Sequence, residues 1–297
     1  MKVSCLVPVR NKAFFVGHTI KSTLDQTYPC EILLSDQGST DGSLDILKYH
    51  QSAYRGPHCV RLLQCPVTEP KGMSGFNAHI HWLMGQTDAD LIVVVSADDL
   101  NHPDRVKRTV EEYQKHRPSF IGTKMQFLNP SADGSLKMEV EGITAFDPKG
   151  SRFITAREHI EQLVGGSVST AWDREFYEKI GGLSRHMIPD VYLPFLATLD
   201  RGFYMIDEQL FAYIRHPGEC NTGIGGRMLA AEQAGGLLHD DHVRVLRHGA
   251  VVSAPREGKV LPDDDDRVTA HIERQHDRGR RDSAAVSRQR VSLEEHP

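Results

Sequence analysis

Over the first 116 positions apolar residues come in short bursts, and between the bursts they recur at helical spacing. The bursts cover residues 3–9, 31–35, 60–64 and 91–95. Each has the length of a strand. A run without polar alternation predicts a strand buried on both faces, as in a parallel sheet. Between the bursts, Phe14, Phe15, Ile20 and Leu24 mark a helix over about 13–26. Ser43 or Asp41 is placed to cap a second over about 44–53. A glycine-bearing turn at 72–75 leads into a helix through Asn77 and Met84, and Pro103 suits the first turn of a helix ending near His116. Four strand–helix repeats predict an α/β architecture with a mostly parallel sheet flanked by helices and right-handed crossovers.

After residue 118 the alternation breaks down. Residues 120–128 and 136–141 read as strands, antiparallel to each other across a turn at 129–134. A short strand over 167–172 follows Gly165-Gly166, and a helix begins near Asp173. Residues 190–201 read as a helix, and 203–206 and 210–214 as two short strands, which together predict a smaller mixed sheet. Residues 218–249 are partly helical in spacing. From about 250 an acidic run, Asp263 to Asp266, precedes seven arginines between Arg267 and Arg290. That composition predicts a helical or disordered tail over 250–297.

The length of 297 residues allows one large α/β domain with an appendage. Apolar content of 39% and charged content of 25% exclude a wholly disordered chain. A net charge of −5 gives no global reason to expect nucleic acid or an acidic membrane as partner. The five cysteines form no CxxC pair, which disfavours zinc and a disulfide framework and points to a reducing compartment. The apolar stretch 3–9 is broken by Pro8 and followed by Arg10, unlike a signal peptide, and no run reaches 18 apolar residues. A cytoplasmic protein is the expectation.

Candidate chemistry gathers where predicted strands end. Asp98-Asp99 follows the fourth burst, at the carboxyl edge where open α/β sheets bind ligands. Carboxylates are hard oxygen ligands that suit Mg2+ or Mn2+. The plain alternative is an acidic turn capping the next helix. The segment Asp36-Gln37-Gly38-Ser39-Thr40-Asp41-Gly42-Ser43 lies between strand and helix; its glycines permit close backbone approach, and its side chains suit a ribose or base. Taken alone, the segment is better explained as an ordinary turn with capping chemistry, and it is neither GxGxxG nor a Walker A loop. Lys71 on its glycine-bearing turn is placed to reach phosphates, or is simply solvated. Asp190 starts a predicted helix, a common structural position. His216 ends a predicted strand and is a further candidate metal ligand.

Taken together these segments resemble the GT-A glycosyltransferases of family 2, over roughly residues 1–217. Val7-Pro8-Val9-Arg10-Asn11 resembles the opening "VPVYN", and Ser35 through Ser43 resembles "DDGSTDGT". Lys71-Gly72 with Asn77 is similar to "GxxxARN", and Ser96 through Arg105 to "DxDDxxxPxR". Gly181-Gly182-Leu183 followed by Asp190 resembles "GGFDE…ED". The resemblance implies a Rossmann-like GT-A sheet, with a nucleotide-binding half over 1–117 and an acceptor half over 118–217.

It also implies roles. Pro8, Arg10 and Asp36 would line the nucleotide pocket, with Gln37, Ser39 and Asp41 near ribose or base. Asp98 would contact the ribose or the ion, Asp99 would hold the ion on the diphosphate, and His216 would add a contact there. Asp190 would be the base that deprotonates an acceptor hydroxyl in an inverting displacement. The cofactor would be Mn2+ or Mg2+, and the leading donors a UDP- or GDP-sugar. The acceptor would be a saccharide, small molecule or protein, with nucleic acid a lesser alternative that the acidic run argues against.

Three positions depart from the pattern: Gln37 for an aspartate, Ser96 for an aspartate, and Pro189 for a glutamate. Gln37 and Ser96 keep open a degenerate nucleotide-sugar binding protein. A sugar nucleotidyltransferase is the other rival, although its glycine-rich loop is missing after the first strand, where Arg10-Asn11-Lys12-Ala13-Phe14 stands.

Overall fold

The computed structural model describes residues 1–66, 73–130, 136–137, 149–162, 170–183 and 189–214. All of them belong to the first of the two units into which the chain divides, Met1–Asp241. The amino-terminal half alternates as expected: β1 (Val3–Val9), α1 (Ala13–Leu24), β2 (Glu31–Asp36), α2 (Ser43–Ala53), β3 (Cys59–Gln64), α3 (Met73–Met84) and β4 (Leu91–Val94). A two-residue strand, β5 (Leu100–Asn101), precedes α4 (Arg105–His116). Strands β3, β2, β1 and β4 lie side by side and parallel.

Burial on both faces explains the continuous apolar runs of β1, β2 and β4, whereas β3, at the end of the sheet, is only partly buried. Val3, Cys5, Val7 and Val9 of β1 face one layer, packing with Val16 and Ile20 of α1, Leu47 of α2 and Val106 and Val110 of α4. Leu6 points the other way, joining Leu33, Ile92 and Val94 against Ile80 and Leu83 of α3. Residues alternate between two cores, so neither face tolerates a polar stripe.

The second half comprises β6 (Phe120–Pro130), β7 (Leu136–Lys137), β8 (Arg152–Ile154), α5 (Ala156–Gln162), β9 (Ala171–Asp173), α6 (Arg174–Lys179), α7 (Pro189–Thr198) and β10 (Phe203–Ile214). The mixed part is continuous with the parallel part. Strand β9 pairs antiparallel with both β4 and β6, and β10 runs parallel to β6. The far edge of β10 carries β8 near its start and β5 near its end, both antiparallel. The expected pairing of 120–128 with the strand starting at 136 appears as β6 with β7, Asn129 opposite Lys137.

Two expectations need correction. The strands read at 203–206 and 210–214 are one strand with register shifts between Ile206 and Phe211. Asp207-Glu208 breaks the apolar pattern there because these side chains serve other partners. Asp207 accepts from the Gly150 N–H at 2.6 Å, and Glu208 from the Arg108 guanidinium at 2.7 Å. The helix read over 190–201 stops at Thr198. Gly202, at φ 104°, turns the chain back, and its N–H bonds the Ala197 carbonyl at 2.8 Å. Strand β8 and helix α5 were not anticipated. The segments expected at 138–141, 167–169 and from 215 onward lie outside the described residues. Among the described residues no helix is long and apolar enough to cross a membrane.

Phe203 ties β10 to β6. It is fully buried in the α3-side core and meets Phe120 edge-to-face at 5.3 Å. Phe203→Ala should cost about 3–5 kcal/mol, read as a lower urea midpoint at unchanged slope. A loss below about 1 kcal/mol would mean that the junction repacks around the gap.

Candidate active site

Val9 of β1 and Asp36 of β2 are register partners, so the loops that follow them leave the sheet side by side. A dense set of hydrogen bonds fixes the two loops to each other. The Gln37 N–H donates to the Val9 carbonyl (2.9 Å), the Asn11 N–H to Ser39 Oγ (2.9 Å), and the Thr40 N–H to Asn11 Oδ1 (2.8 Å). The Lys12 N–H donates to Ser43 Oγ (2.8 Å) and the Ala13 N–H to Asp41 Oδ2 (2.9 Å). Asp41 Oδ1 takes the Ser43 N–H (3.0 Å) and hydroxyl (2.6 Å). Asp41 therefore serves the starts of both α1 and α2. Burial pushes its carboxyl up, but the bonds from Ser43 and Ala13 outweigh this and hold it below the ordinary value.

Asp36 lies at the floor of this edge, 3% exposed. Its Oδ2 accepts from the Ser39 N–H at 3.0 Å, while its Oδ1 is buried without a hydrogen-bond partner among the described residues. Beside it Gln37 is buried and donates its amide to the Gly75 carbonyl at 3.4 Å. Ser35 Oγ pairs with His79 Nε2 of α3 at 2.7 Å. Burial, then the charge of Arg10, lowers the His79 pKa to about 4, so this ring is neutral at physiological pH. Pro8 is buried within β1, opposite Ser35.

After β4 the chain makes a tight turn, the Asp99 N–H reaching the Ser96 carbonyl at 3.3 Å. The two aspartates then diverge. Asp99 is 2% exposed, and its Oδ1 accepts from the Ile214 N–H at 3.2 Å, tying the turn to the end of β10. Arg105 braces the same junction. Its guanidinium donates to the Val94 carbonyl (3.0 Å) and to Asn101 Oδ1 (2.5 Å), and lies over the Phe211 ring at 5.5 Å. Burial lowers its pKa to about 10, against the charge of Asp99, so it stays protonated. Asp98 instead forms an ion pair with the Lys12 ammonium.

Asp190 is carried by α7, which packs through Leu193 and Ala197 into the α3-side core. The residue keeps part of its surface in solvent, yet protein atoms crowd its carboxyl, and this burial pushes its pKa up to about 7.

Pro8, Arg10, Asp36, Gln37, Ser39, Asp41 and Asp98 thus stand on the loops and strand ends of one carboxyl edge, with Asp99 buried against β10. Lys71 and His216 lie outside the described residues. Among the described residues no three His, Cys, Asp or Glu side chains converge on one point. Lys12 and His79 were missed. Lys12 carried a readable signal: a cation at the start of a helix opposes the macrodipole, and α1 has no acidic residue in its first turn to offset it.

The N-cap positions of α1 and α2 are Lys12 and Gly42, and the Asp41 carboxylate that bonds the first N–H of each helix makes a prediction. Asp41→Ala should destabilise the protein by about 1–2 kcal/mol, as loss of a helix cap does, measured by urea unfolding. An unchanged midpoint would show that the loops hold each other without it.

The model of the family described as "Glycosyl transferase family 2" matches residues 4–180, more than half of the chain. EpsE of Bacillus subtilis (strain 168) is 30% identical over 126 residues, which cover 42% of this chain and 43% of that protein. The protein alr2836 of Nostoc sp. (strain PCC 7120 / SAG 25.82 / UTEX 2576) is 31% identical over 117 residues, 38% of this chain and 33% of that one. Both bear the name glycosyltransferase, and the matches span less than half of either relative's length. S. aureus TarS 1–349, solved in complex with UDP-GlcNAc, has a TM-score of 0.56 at 17% identity, covering 74% of this chain and 60% of that one. The same fragment with UDP gives 0.54 at 16% identity, over 73% and 61%. At such identity the likeness bears on the fold alone, and it agrees with the parallel sheet and carboxyl-edge loops described above. The match over residues 4–180 settles membership: the chain belongs to glycosyl transferase family 2.

Proposed function

We propose that the chain is a metal-dependent, inverting glycosyltransferase that moves a sugar from a nucleoside-diphosphate donor, UDP first among them, to an acceptor hydroxyl. The observation that carries this reading is Asp36 Oδ1, a buried acceptor without a hydrogen-bond partner among the described residues. Such an atom costs about 1–3 kcal/mol unless something donates to it. It sits at the carboxyl edge of a parallel sheet, where open α/β folds bind ligands. A base N–H supplies the missing bond. Uracil, thymine and guanine each offer a ring N–H, whereas cytosine offers only its exocyclic amine beside a bare ring nitrogen. The TarS structures with UDP-GlcNAc and UDP favour uridine among them.

Asp98 is the residue that would hold Mn2+ or Mg2+, with Asp99, buried against the end of β10, fixing the turn behind it. One carboxylate fits such an ion, because Mg2+ ordinarily takes one or two together with substrate phosphates and water. The Lys12 ion pair supports the assignment, since Asp98 already attracts a cation. When bound, the ion neutralises charge on the leaving diphosphate. Arg10 and Lys71 add positive charge for the phosphates, and Ser39 and Gln37 lie toward the ribose and base. Asp190 takes the proton of the acceptor hydroxyl as its oxygen attacks the anomeric carbon opposite the departing diphosphate. A carboxylate with a pKa near 7 is matched to that task at neutral pH. The acceptor is a saccharide, small molecule or protein hydroxyl.

A thermal-shift series of UDP-, GDP-, CDP- and dTDP-sugars with Mn2+ tests the nucleotide site. Saturation at a hundred times Kd adds about 2.7 kcal/mol to stability. The UDP-sugar should give the largest shift, and Asp36→Ala should remove it. A largest shift with a CDP-sugar, or one that survives Asp36→Ala, contradicts the reading.

Asp190 makes a second, pH-dependent prediction. The folded state holds a proton up to about pH 7 that the unfolded chain releases near 3.8. The group's stabilising contribution is therefore full below 3.8 and lost as pH rises through about 7. Asp190→Asn should resist urea better than the parent at pH 8, and the two should converge near pH 4. The parent's kcat/KM should rise with pH through about 7. In Asp190→Asn that limb should vanish and transfer should fall at least about a hundredfold with donor binding intact. Unchanged transfer would remove Asp190 from the mechanism.

A further inference from the structure

We propose that Lys12 is an internal counter-ion for Asp98 that a divalent cation must displace, so that the free protein binds the ion weakly and the donor's diphosphate, by drawing off the Lys12 ammonium, opens Asp98 to it. The inference rests on the reading of Asp98 as a metal-holding residue.

Lys12 and Asp98 come from different loops, 86 positions apart in the chain, and their side chains are only 18% and 16% exposed. Solvent and salt therefore screen the pair less than a surface ion pair. The lysine is anchored at its root and mobile at its tip. Its backbone N–H is held by Ser43 Oγ, and the next residue's N–H by Asp41, whereas the four-carbon stem can rotate. Its place at the start of α1 is electrostatically unfavourable, with no acidic residue in that helix's first turn. Asp98 offsets this. The neighbouring Asp99 is committed to the Ile214 N–H and lies near the buried Arg105 charge. Release of Asp98 is therefore the step that decides whether a cation enters.

Charge then dictates the coupling. A divalent ion on Asp98 beside an undisplaced ammonium places two cations against one carboxylate, and they repel. Removing the ammonium ends that repulsion and leaves the negative charge of a carboxylate only 16% exposed less compensated, which favours a cation. A diphosphate at the same edge offers Lys12 another anionic partner. Nucleotide and metal each lower the cost of admitting the other, as reciprocal coupling requires.

The test is Mn2+ binding followed by electron paramagnetic resonance of the free ion, on the full chain, with and without UDP. Lys12→Met should bind Mn2+ alone at least tenfold tighter than the parent, and UDP should enhance Mn2+ binding less in the variant. Lys12→Arg, which keeps the charge, should resemble the parent. Lys12→Gln carries the same expectation as Lys12→Met if circular dichroism shows the latter misfolded. Equal or weaker Mn2+ binding by the neutral variants without UDP overturns the proposal. Asp98→Asn separates the two levels. If it leaves UDP-supported Mn2+ binding intact, the metal assignment falls and this inference with it. If it abolishes that binding while the neutral Lys12 variants match the parent, the metal assignment stands and only the counter-ion role is overturned.

Discussion

Parallel pairing of β1 with β2 on one side and β4 on the other is the constraint from which the rest of the molecule follows. It puts Val9 opposite Asp36 and Leu6 opposite Val94, so three loops emerge at one edge. The strands are buried on both faces and must be apolar throughout. Polar chemistry is thereby confined to the carboxyl ends, and the first residues past those ends become the floor of a site.

Most of the polar groups at that edge hold it together. Asp41 ties two helix starts, Asp99 ties the turn after β4 to the end of β10, and Arg105 links Val94, Asn101 and Phe211. Asp99 and Arg105 are buried, and each is matched by partners that make its burial tolerable. Asp36 and Asp98 differ. Asp36 keeps one oxygen without a hydrogen-bond partner among the described residues, and Asp98 pairs with Lys12, whose long side chain can exchange partners. That contrast with the bracing groups is the physical basis on which a nucleotide and a cation are proposed at this edge.

The first 116 residues were legible because their signals are local. Runs of apolar residues and the spacing of Phe14, Ile20 and Leu24 need no knowledge of distant partners. The second half was read less well where structure depends on long-range pairing. Strand β5 has two residues and β8 three, and both exist because β10 offers an edge. Asp207 and Glu208 interrupt the pattern of β10 for the sake of Gly150 and Arg108, so one strand read as two. At the carboxyl edge, the positions of Asp36, Asp98 and Asp99 could be read from the apolar runs before them. The bracing roles of Asp41 and Asp99, and the reach of Lys12 across 86 positions, depend on the loops being brought together.

The central claim is that one carboxyl edge receives both the nucleotide and the ion. Crystals soaked with UDP and Mn2+, with anomalous diffraction recorded for manganese, test it directly. The account predicts a manganese peak within coordinating distance of Asp98, about 2.0–2.2 Å as for other small divalent ions, and a uracil ring against Asp36. A manganese peak remote from Asp98, or a nucleotide bound away from Asp36, would contradict it.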